Sequence, residues 1–249
     1  VTEIGAGSIE FKDVSFSYDG KRDVLKHISF KVEAGQTVAF VGATGSGKSS
    51  IMNLFLRFYE FERGQILIDG QDIKSYSAEA LRSAVGLVLQ DPFLFHGTIA
   101  SNIRMYQEGL TDEAMREAAR FVDAADFIES LPAGYDSPVT ERGATLSSGQ
   151  RQLLAFARTM ATQPKILILD EATANIDSET EEVIQASLAK MRKGRTTLAI
   201  AHRLSTIQDA DCIYVLDQGQ IIESGNHQEL LAQGGLYYRM YQLQAGMMN

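Results

Sequence analysis

The chain has 249 residues, of which 45% are hydrophobic and 22% charged, so it is long enough for one large α/β domain with a real core and has an ordinary globular composition. Lys and Arg total 23 against 32 Asp and Glu, a net charge of −9, which argues against affinity built on neutralising nucleic-acid phosphates or on attraction to an anionic membrane surface. The single cysteine, Cys212, rules out an internal disulfide, and no apolar run approaches the ~18 residues of a membrane span.

The first six residues, ending before Gly7, read as a linker remnant. From Ile9 the chain alternates as strands do, through Phe11, Val14, Phe16 and Tyr18, then a turn-like Asp19-Gly20, then Ile28, Phe30 and Val32. This pattern predicts an antiparallel β-rich opening. Gln36 to Val41 reads as a short buried strand running into a glycine-rich turn, and Ser50 to Phe58 as a helix. Further strands are expected at Ile66 to Asp69, Ala84 to Leu89, Lys165 to Leu169, Thr196 to Ala201 and Ile213 to Leu216. Several are apolar on consecutive residues, the pattern of parallel strands covered on both faces. The stretch from Leu110 to Met160 carries helical patterns and no convincing strand, and Gln163-Pro164 returns the chain to the sheet. Ser178 with Glu181 has capping-box spacing, Ile184, Leu188 and Met191 form an apolar stripe, and Gly194 supplies the stop.

Gly42-Ala43-Thr44-Gly45-Ser46-Gly47-Lys48-Ser49 fits the full P-loop pattern and lies between a strand and a helix, where that pattern works. Its glycines let backbone N–H groups turn around phosphate oxygens, the helix start adds partial positive charge, Lys48 reaches the β/γ-phosphates and the Ser49 hydroxyl can ligate Mg²⁺. A metal-holding carboxylate is expected at the end of a buried strand, and Ile166-Leu167-Ile168-Leu169-Asp170 supplies it. Glu171 follows, placed to orient or deprotonate a water; both acids capping the next helix is the plainer alternative. His202 and Gln90 each follow a strand, at the sheet edge where ligands of open α/β folds collect. His202 could contact the γ-phosphate or the water, and Gln90 the metal or the water; for either, ordinary loop hydrogen bonding is the alternative. Tyr18 reads as a base-stacking ring or as a hairpin aromatic. The expected fold is α/β: a P-loop NTPase with a mainly parallel RecA-like sheet and an antiparallel β subdomain, about 8–90 and 160–249, and an inserted α-helical subdomain, about 91–159.

Leu146-Ser147-Ser148-Gly149-Gln150 opens an apolar helix, and Ser147 with Gln150 has capping-box spacing, making a second anion-binding helix start. P-loop, serine-glycine-glutamine helix start, Asp170 strand and His202, in this order from about Ile9 to Leu243, resemble the nucleotide-binding domain of ABC transporters. The resemblance implies Tyr18 as the adenine-stacking aromatic, Gly42 to Ser50 as the Walker A loop and Gln90 as the Q-loop glutamine. It also implies Leu146 to Gln150 as the signature motif, Asp170 as the Walker B carboxylate, Glu171 as the catalytic glutamate, Asp177 as the D-loop aspartate and His202 as the switch histidine. ATP and Mg²⁺ are the implied ligands, with Ser49, Gln90 and Asp170 around the metal. The implied partners are a second nucleotide-binding domain, bound head to tail around each ATP, and a transmembrane domain.

Asp91 to Ile99, Asn102-Ile103, Thr140-Glu141-Arg142-Gly143 and the run from His202-Arg203-Leu204-Ser205-Thr206-Ile207 to Gly225 resemble the exporter branch. That likeness implies drugs, lipids or peptides as cargo, a place at the cytoplasmic face of the cell membrane, and about six apolar segments upstream of Val1. Two departures stand out: Ser148 occupies the usual first signature glycine, and the D-loop reads Ala174-Asn175-Ile176-Asp177. Both resemble heterodimeric exporters, which implies a partner with the converse defect; a homodimer is the alternative. A soluble ABC-type ATPase acting on nucleic acid or ribosomes is disfavoured by the acidic balance and the exporter-like segments. A binding-only ATP sensor is disfavoured by the presence of both Glu171 and His202.

Overall fold

A computed structural model describes residues 3–89, 92–105, 107–140, 146–171 and 178–246 of the chain. β1 (Ile9–Phe16) and β2 (Leu25–Val32) form an antiparallel pair. β3 (Thr37–Val41) is buried along its whole length and leads through a glycine loop into α1 (Lys48–Phe55). β4 (Arg63–Ile68) pairs with the other edge of β1, and β5 (Gln71–Asp72) closes a sheet of order β2-β1-β4-β5. α2 (Ala78–Ala84), capped by the Ser77 side chain, delivers the chain to β6 (Val85–Val88).

A helical region follows. β7 (Gly97–Thr98) leads into α3 (Ile99–Ile103), and α4 (Asp112–Phe121) and α5 (Ala125–Ser130) precede β8 (Pro138–Val139), which pairs back with β7. α6 (Ser148–Ala161) then carries the chain to β9 (Ile166–Asp170). The rest of the sheet comes from α7 (Ser178–Arg192), β10 (Thr196–Ile200), β11 (Cys212–Asp217) and β12 (Gln220–Gly225). α8 (His227–Gln233) and α9 (Leu236–Gln244) close the described chain. The main sheet has the order β12-β11-β3-β10-β9-β6, parallel from β11 to β6 with β12 antiparallel at one edge.

Side-chain alternation divides this sheet's two faces between two cores. Val38, Phe40, Ile166, Ile168, Leu198 and Ile200 pack towards the antiparallel sheet, with Phe11, Val14 and Ile28. Ala39, Val41, Leu167, Leu169, Ala199 and Ala201 pack towards the helices, with Leu154, Phe156 and Ile184. A strand with both faces covered carries apolar residues at consecutive positions, which is why β3, β9 and β10 stand out in the sequence.

The structure corrects four expectations. Residues 4–8 are anchored and are no linker remnant: Ile4 is buried, Lys165 Nζ donates to its carbonyl at 2.8 Å, and the Asp69 carboxylate accepts the N–H groups of Gly5, Gly7 and Ser8 at 2.8–2.9 Å. The helix expected to run to Phe58 ends at Phe55, with Arg57 at φ +57° turning the chain away. Ala84 belongs to α2 rather than to a strand. The expected strand-free stretch from Leu110 to Met160 contains β8, two residues long and therefore without a readable period. Glu181 engages Arg203 through Oε1 at 2.5 Å, while the Ser178 side of the expected capping box lies outside the described side chains.

Candidate functional site

β3 ends at Val41 in the middle of the sheet, and at Gly42, which follows, a side chain is sterically forbidden. Its φ is +156°, and a Cβ there would lie 2.5 Å from the Leu216 carbonyl and 2.6 Å from Ser46 Oγ. Gly47, at φ +110°, is equally constrained: a Cβ would meet Leu25 Cδ2 at 2.9 Å and the Val24 carbonyl at 3.0 Å. Between them the Ser46 N–H donates to the Ala43 carbonyl at 3.0 Å, and the Ser46 carbonyl accepts from the Gly219 N–H at 2.9 Å. The result is a tight loop delivering the N-terminus of α1, whose first-turn N–H groups have no acceptor within the helix. Lys48 is 6% exposed, and its ammonium donates to the Gly42 carbonyl at 2.7 Å. Burial lowers its pKa, opposed by the charges of Glu171 and Asp170. Ser49 is exposed, Ser50 is buried, and Ser46 Oγ is buried without a hydrogen-bond partner among the described residues.

Strand register brings the carboxylates to the same edge. Asp170 aligns with Ile200 on β10, which aligns with Phe40 on β3, two residues before the glycine loop. Burial raises the Asp170 pKa, opposed by His202 and Lys48. Glu171 leaves the strand by donating its N–H to the Ile200 carbonyl, and its side chain closes on the loop after β10. Its Oε2 accepts the N–H groups of His202 at 2.5 Å and Arg203 at 2.9 Å, and its Oε1 accepts the Thr206 hydroxyl. Glu171 is therefore tied to the His202 segment.

Tyr18 lies beside α1. Its hydroxyl is 2.9 Å from Ser50 Oγ and accepts from Asn53 Nδ2 at 3.0 Å, while its half-exposed ring stands edge-on to Phe16 and Tyr59. Ser147 caps α6 with the expected reciprocal bonds, Gln150 N–H to Ser147 Oγ at 3.1 Å and Ser147 N–H to Gln150 Oε1 at 3.0 Å. Ser148 and Gly149 open the helix. Among the described residues no hydrogen bond or ion pair joins residues 146–150 to residues 42–50. The structure thus gathers Gly42, Ala43, Thr44, Gly45, Ser46, Gly47, Lys48, Ser49, Asp170, Glu171 and His202 at one sheet edge, with Tyr18 and Ser50 alongside. Residues 147–150 form a separate helix start. Gln90 and Asp177, with the expected exporter-like residues Asp91 and Glu141 to Gly143, lie outside the described residues.

The residues present fit a nucleoside triphosphate with Mg²⁺. The loop offers N–H donors and one buried ammonium, which donates to a backbone carbonyl. An exposed serine hydroxyl and a carboxylate at the strand end are hard oxygen ligands, the kind that Mg²⁺ takes beside phosphates and water.

Three groups were not legible beforehand. Arg158 is buried on α6; its Nε donates to the Asn102 carbonyl, Nη2 to Asn102 Oδ1 and Nη1 to the Phe93 carbonyl, at 2.7–3.0 Å. Asn102 in turn brackets Phe95 through its N–H and carbonyl, so residues 93–102 are fixed against α6. An open, largely apolar groove of about 670 Å³ runs beside this region, lined by Phe55, Leu56, Phe58, Leu81, Val85 and Leu87. Gln244 bonds the His202 segment from 40 residues away, with no local signal to mark it.

Residues 25–174 match the ABC transporter family. An ABC transporter ATP-binding protein of Streptococcus pneumoniae is 68% identical over 99% of this chain, which spans 42% of that protein. A Bacillus subtilis protein described as a probable multidrug resistance ABC transporter ATP-binding/permease protein is 57% identical over 98% of the chain and 36% of its own length. A solved bacterial Atm1-family ABC exporter with ATP bound superposes with a TM-score of 0.90 at 47% identity, over 97% of this chain and 42% of that one. The chain thus spans about two-fifths of the length of the relatives it matches.

Proposed function

Because this chain belongs to the ABC transporter family, we propose that it is the ATP-binding and ATP-hydrolysing motor domain of an exporter. The convergence of Lys48, Ser49, Asp170, Glu171 and His202 around one glycine loop at one sheet edge carries this reading. The loop N–H groups and the α1 start hold the phosphates, and buried Lys48, shielded from water, meets their charge at close range. Ser49 and Asp170 would hold Mg²⁺, with Gln90 as a further ligand, and the ion would supply positive charge beside the phosphate oxygens. Tyr18 stacks on the adenine. Glu171 orients the attacking water and takes its proton, exchanging one of its three donors for that water, and His202 steadies the terminal phosphate. Apart from that proton transfer to Glu171, these side chains position the reactants and stabilise charge, which is most of what phosphoryl transfer requires.

Ser147, Ser148, Gly149 and Gln150 serve the other half of the cycle. Their helix start closes on the nucleotide of a second nucleotide-binding domain, with Asp177 at the contact, so two positive helix ends share one terminal phosphate and hydrolysis removes the bridge. The partner is a different chain in this reading, since Ser148 puts a Cβ where a glycine would leave room for phosphate. A transmembrane domain occupies the apolar groove by Phe58 and Leu81, placing the chain at the cytoplasmic face of the membrane. Drugs, lipids or peptides are the cargo classes. Analytical ultracentrifugation of Glu171→Gln tests the arrangement. ATP-dependent dimers are expected only on mixing with the partner chain, whereas a stable homodimer with two equally occupied ATP sites refutes the heterodimer.

A further inference from the structure

The loop after β10 is held by three other elements. Glu171, at the end of β9, accepts the His202 and Arg203 N–H groups, and Glu181 of α7 holds the Arg203 guanidinium. The third hold comes from the last residue of α9. Gln244 Oε1 accepts the Leu204 N–H at 2.8 Å, and Gln244 Nε2 donates to the His202 carbonyl at 3.0 Å. Among side chains of this reach, a primary amide can donate to a carbonyl and accept from an N–H at once. Both main-chain polar groups of His202 are therefore engaged, the N–H by Glu171 and the carbonyl by Gln244.

α9 is itself fixed, so the amide is presented from a rigid support. Tyr237 is fully buried with its hydroxyl 2.6 Å from His227 Nδ1, and Glu223 of β12 accepts the Leu236 and Tyr237 N–H groups at 2.6 and 3.1 Å. Gln244 is exposed and is no part of the core. Its contribution to packing is small, and the two hydrogen bonds to the loop are its distinguishing contacts.

We propose that Gln244 is a positioning residue for ATP hydrolysis, pinning the main chain at 202–204 from α9 so that the His202 side chain is aimed at the sheet edge beside Asp170. This rests on the hydrolytic reading of the site above. Gln244 itself touches neither the glycine loop nor Asp170 and acts through the His202 backbone.

Steady-state phosphate release by the chain assembled with its partner nucleotide-binding domain tests it. Gln244→Ala is expected to lower kcat by roughly ten-fold, the scale of a small misplacement near a reacting group, with KM for ATP and the thermal midpoint essentially unmoved. Gln244→Glu, which keeps the acceptor for Leu204 and loses the donor for His202, is expected to fall between wild type and alanine. Added to His202→Ala, the Gln244→Ala change is expected to cost nothing further, as coupled residues behave. Wild-type kcat for Gln244→Ala beside slowed but measurable turnover by Glu171→Gln and His202→Ala overturns this inference alone. So does an equal loss in the His202→Ala background. Wild-type turnover by Glu171→Gln and His202→Ala overturns the hydrolytic reading, and the positioning role falls with it.

Discussion

Gly149→Ala probes how closely α6 and α7 pack at the start of the second anion-binding helix. A Cβ built on Gly149 lies 1.8 Å from Thr180 Cγ2 and 3.1 Å from Thr180 Cβ. Rotating Thr180 clears the methyl but leaves the second contact tighter than ordinary van der Waals distance, so the helices must also part by a few tenths of an ångström. Overpacking of this kind costs about 1–3 kcal/mol, against up to ~1 kcal/mol gained from replacing a helical glycine by alanine. The net expectation is a loss of about 1–2 kcal/mol, or roughly 2–8 °C in thermal midpoint for a domain of this size. Thr180→Ser, which removes only the clashing methyl and keeps the hydroxyl, should be close to neutral alone and should restore most of the midpoint in the Gly149→Ala background. Thermal unfolding followed by circular dichroism reads all four chains. A Gly149→Ala midpoint at or above wild type, or no recovery on adding Thr180→Ser, refutes the packing account of this glycine.

Other substitutions address the rest of the framework. Asp69→Ala removes the acceptor for the N–H groups of Gly5, Gly7 and Ser8 and should cost about 1–3 kcal/mol in denaturant unfolding, with Asp69→Asn recovering part through its remaining oxygen. Asn102→Ala strips two bonds from Phe95 and one from buried Arg158, so a loss of about 3 kcal/mol is expected by the same measurement. Burial raises the Asp170 pKa, so the folded chain holds that proton more tightly than the unfolded chain does. Stability from this group is therefore present at low pH and lost as pH rises through the folded pKa. Asp170→Asn should accordingly raise the nucleotide-free thermal midpoint at pH 7, with the gain vanishing below the ordinary carboxyl value of 3.8, and should remove the Mg²⁺ dependence of ATP affinity in calorimetry. Lys48→Ala should weaken ATP binding at least about ten-fold, given the strength of charge-assisted phosphate contacts.

Much of this site is legible because the sheet writes itself into the sequence. β3, β9 and β10 are buried on both faces, so each is a short apolar run, and the glycine loop and Asp170 sit at the ends of two such runs. Local rules also carry the Ser147 cap, since its partner is three residues away. What escaped depends on distant pairs or on elements too short for a period. α2 has seven residues and its Ala84 is apolar enough to extend the following strand; β7 and β8 have two residues each. Nothing near Ile4 announces that Asp69, more than sixty residues on, gathers the N-terminal amides. Glu171 was legible as a base because it follows Asp170, but its grip on His202, Arg203 and Thr206 was not. That grip depends on β9 and β10 lying side by side with Asp170 level with Ile200.

The most direct measurement compares ATP binding and phosphate release for wild type and Glu171→Gln in the same preparation. The substitution keeps the shape of the side chain and removes the carboxylate that would take the proton. Calorimetric ATP affinity should be unchanged or tighter, while kcat falls by at least about 100-fold, the lower range for loss of a general base. Phosphate release at the wild-type rate with ATP still bound contradicts the assignment of this sheet edge as a hydrolytic site built on Glu171.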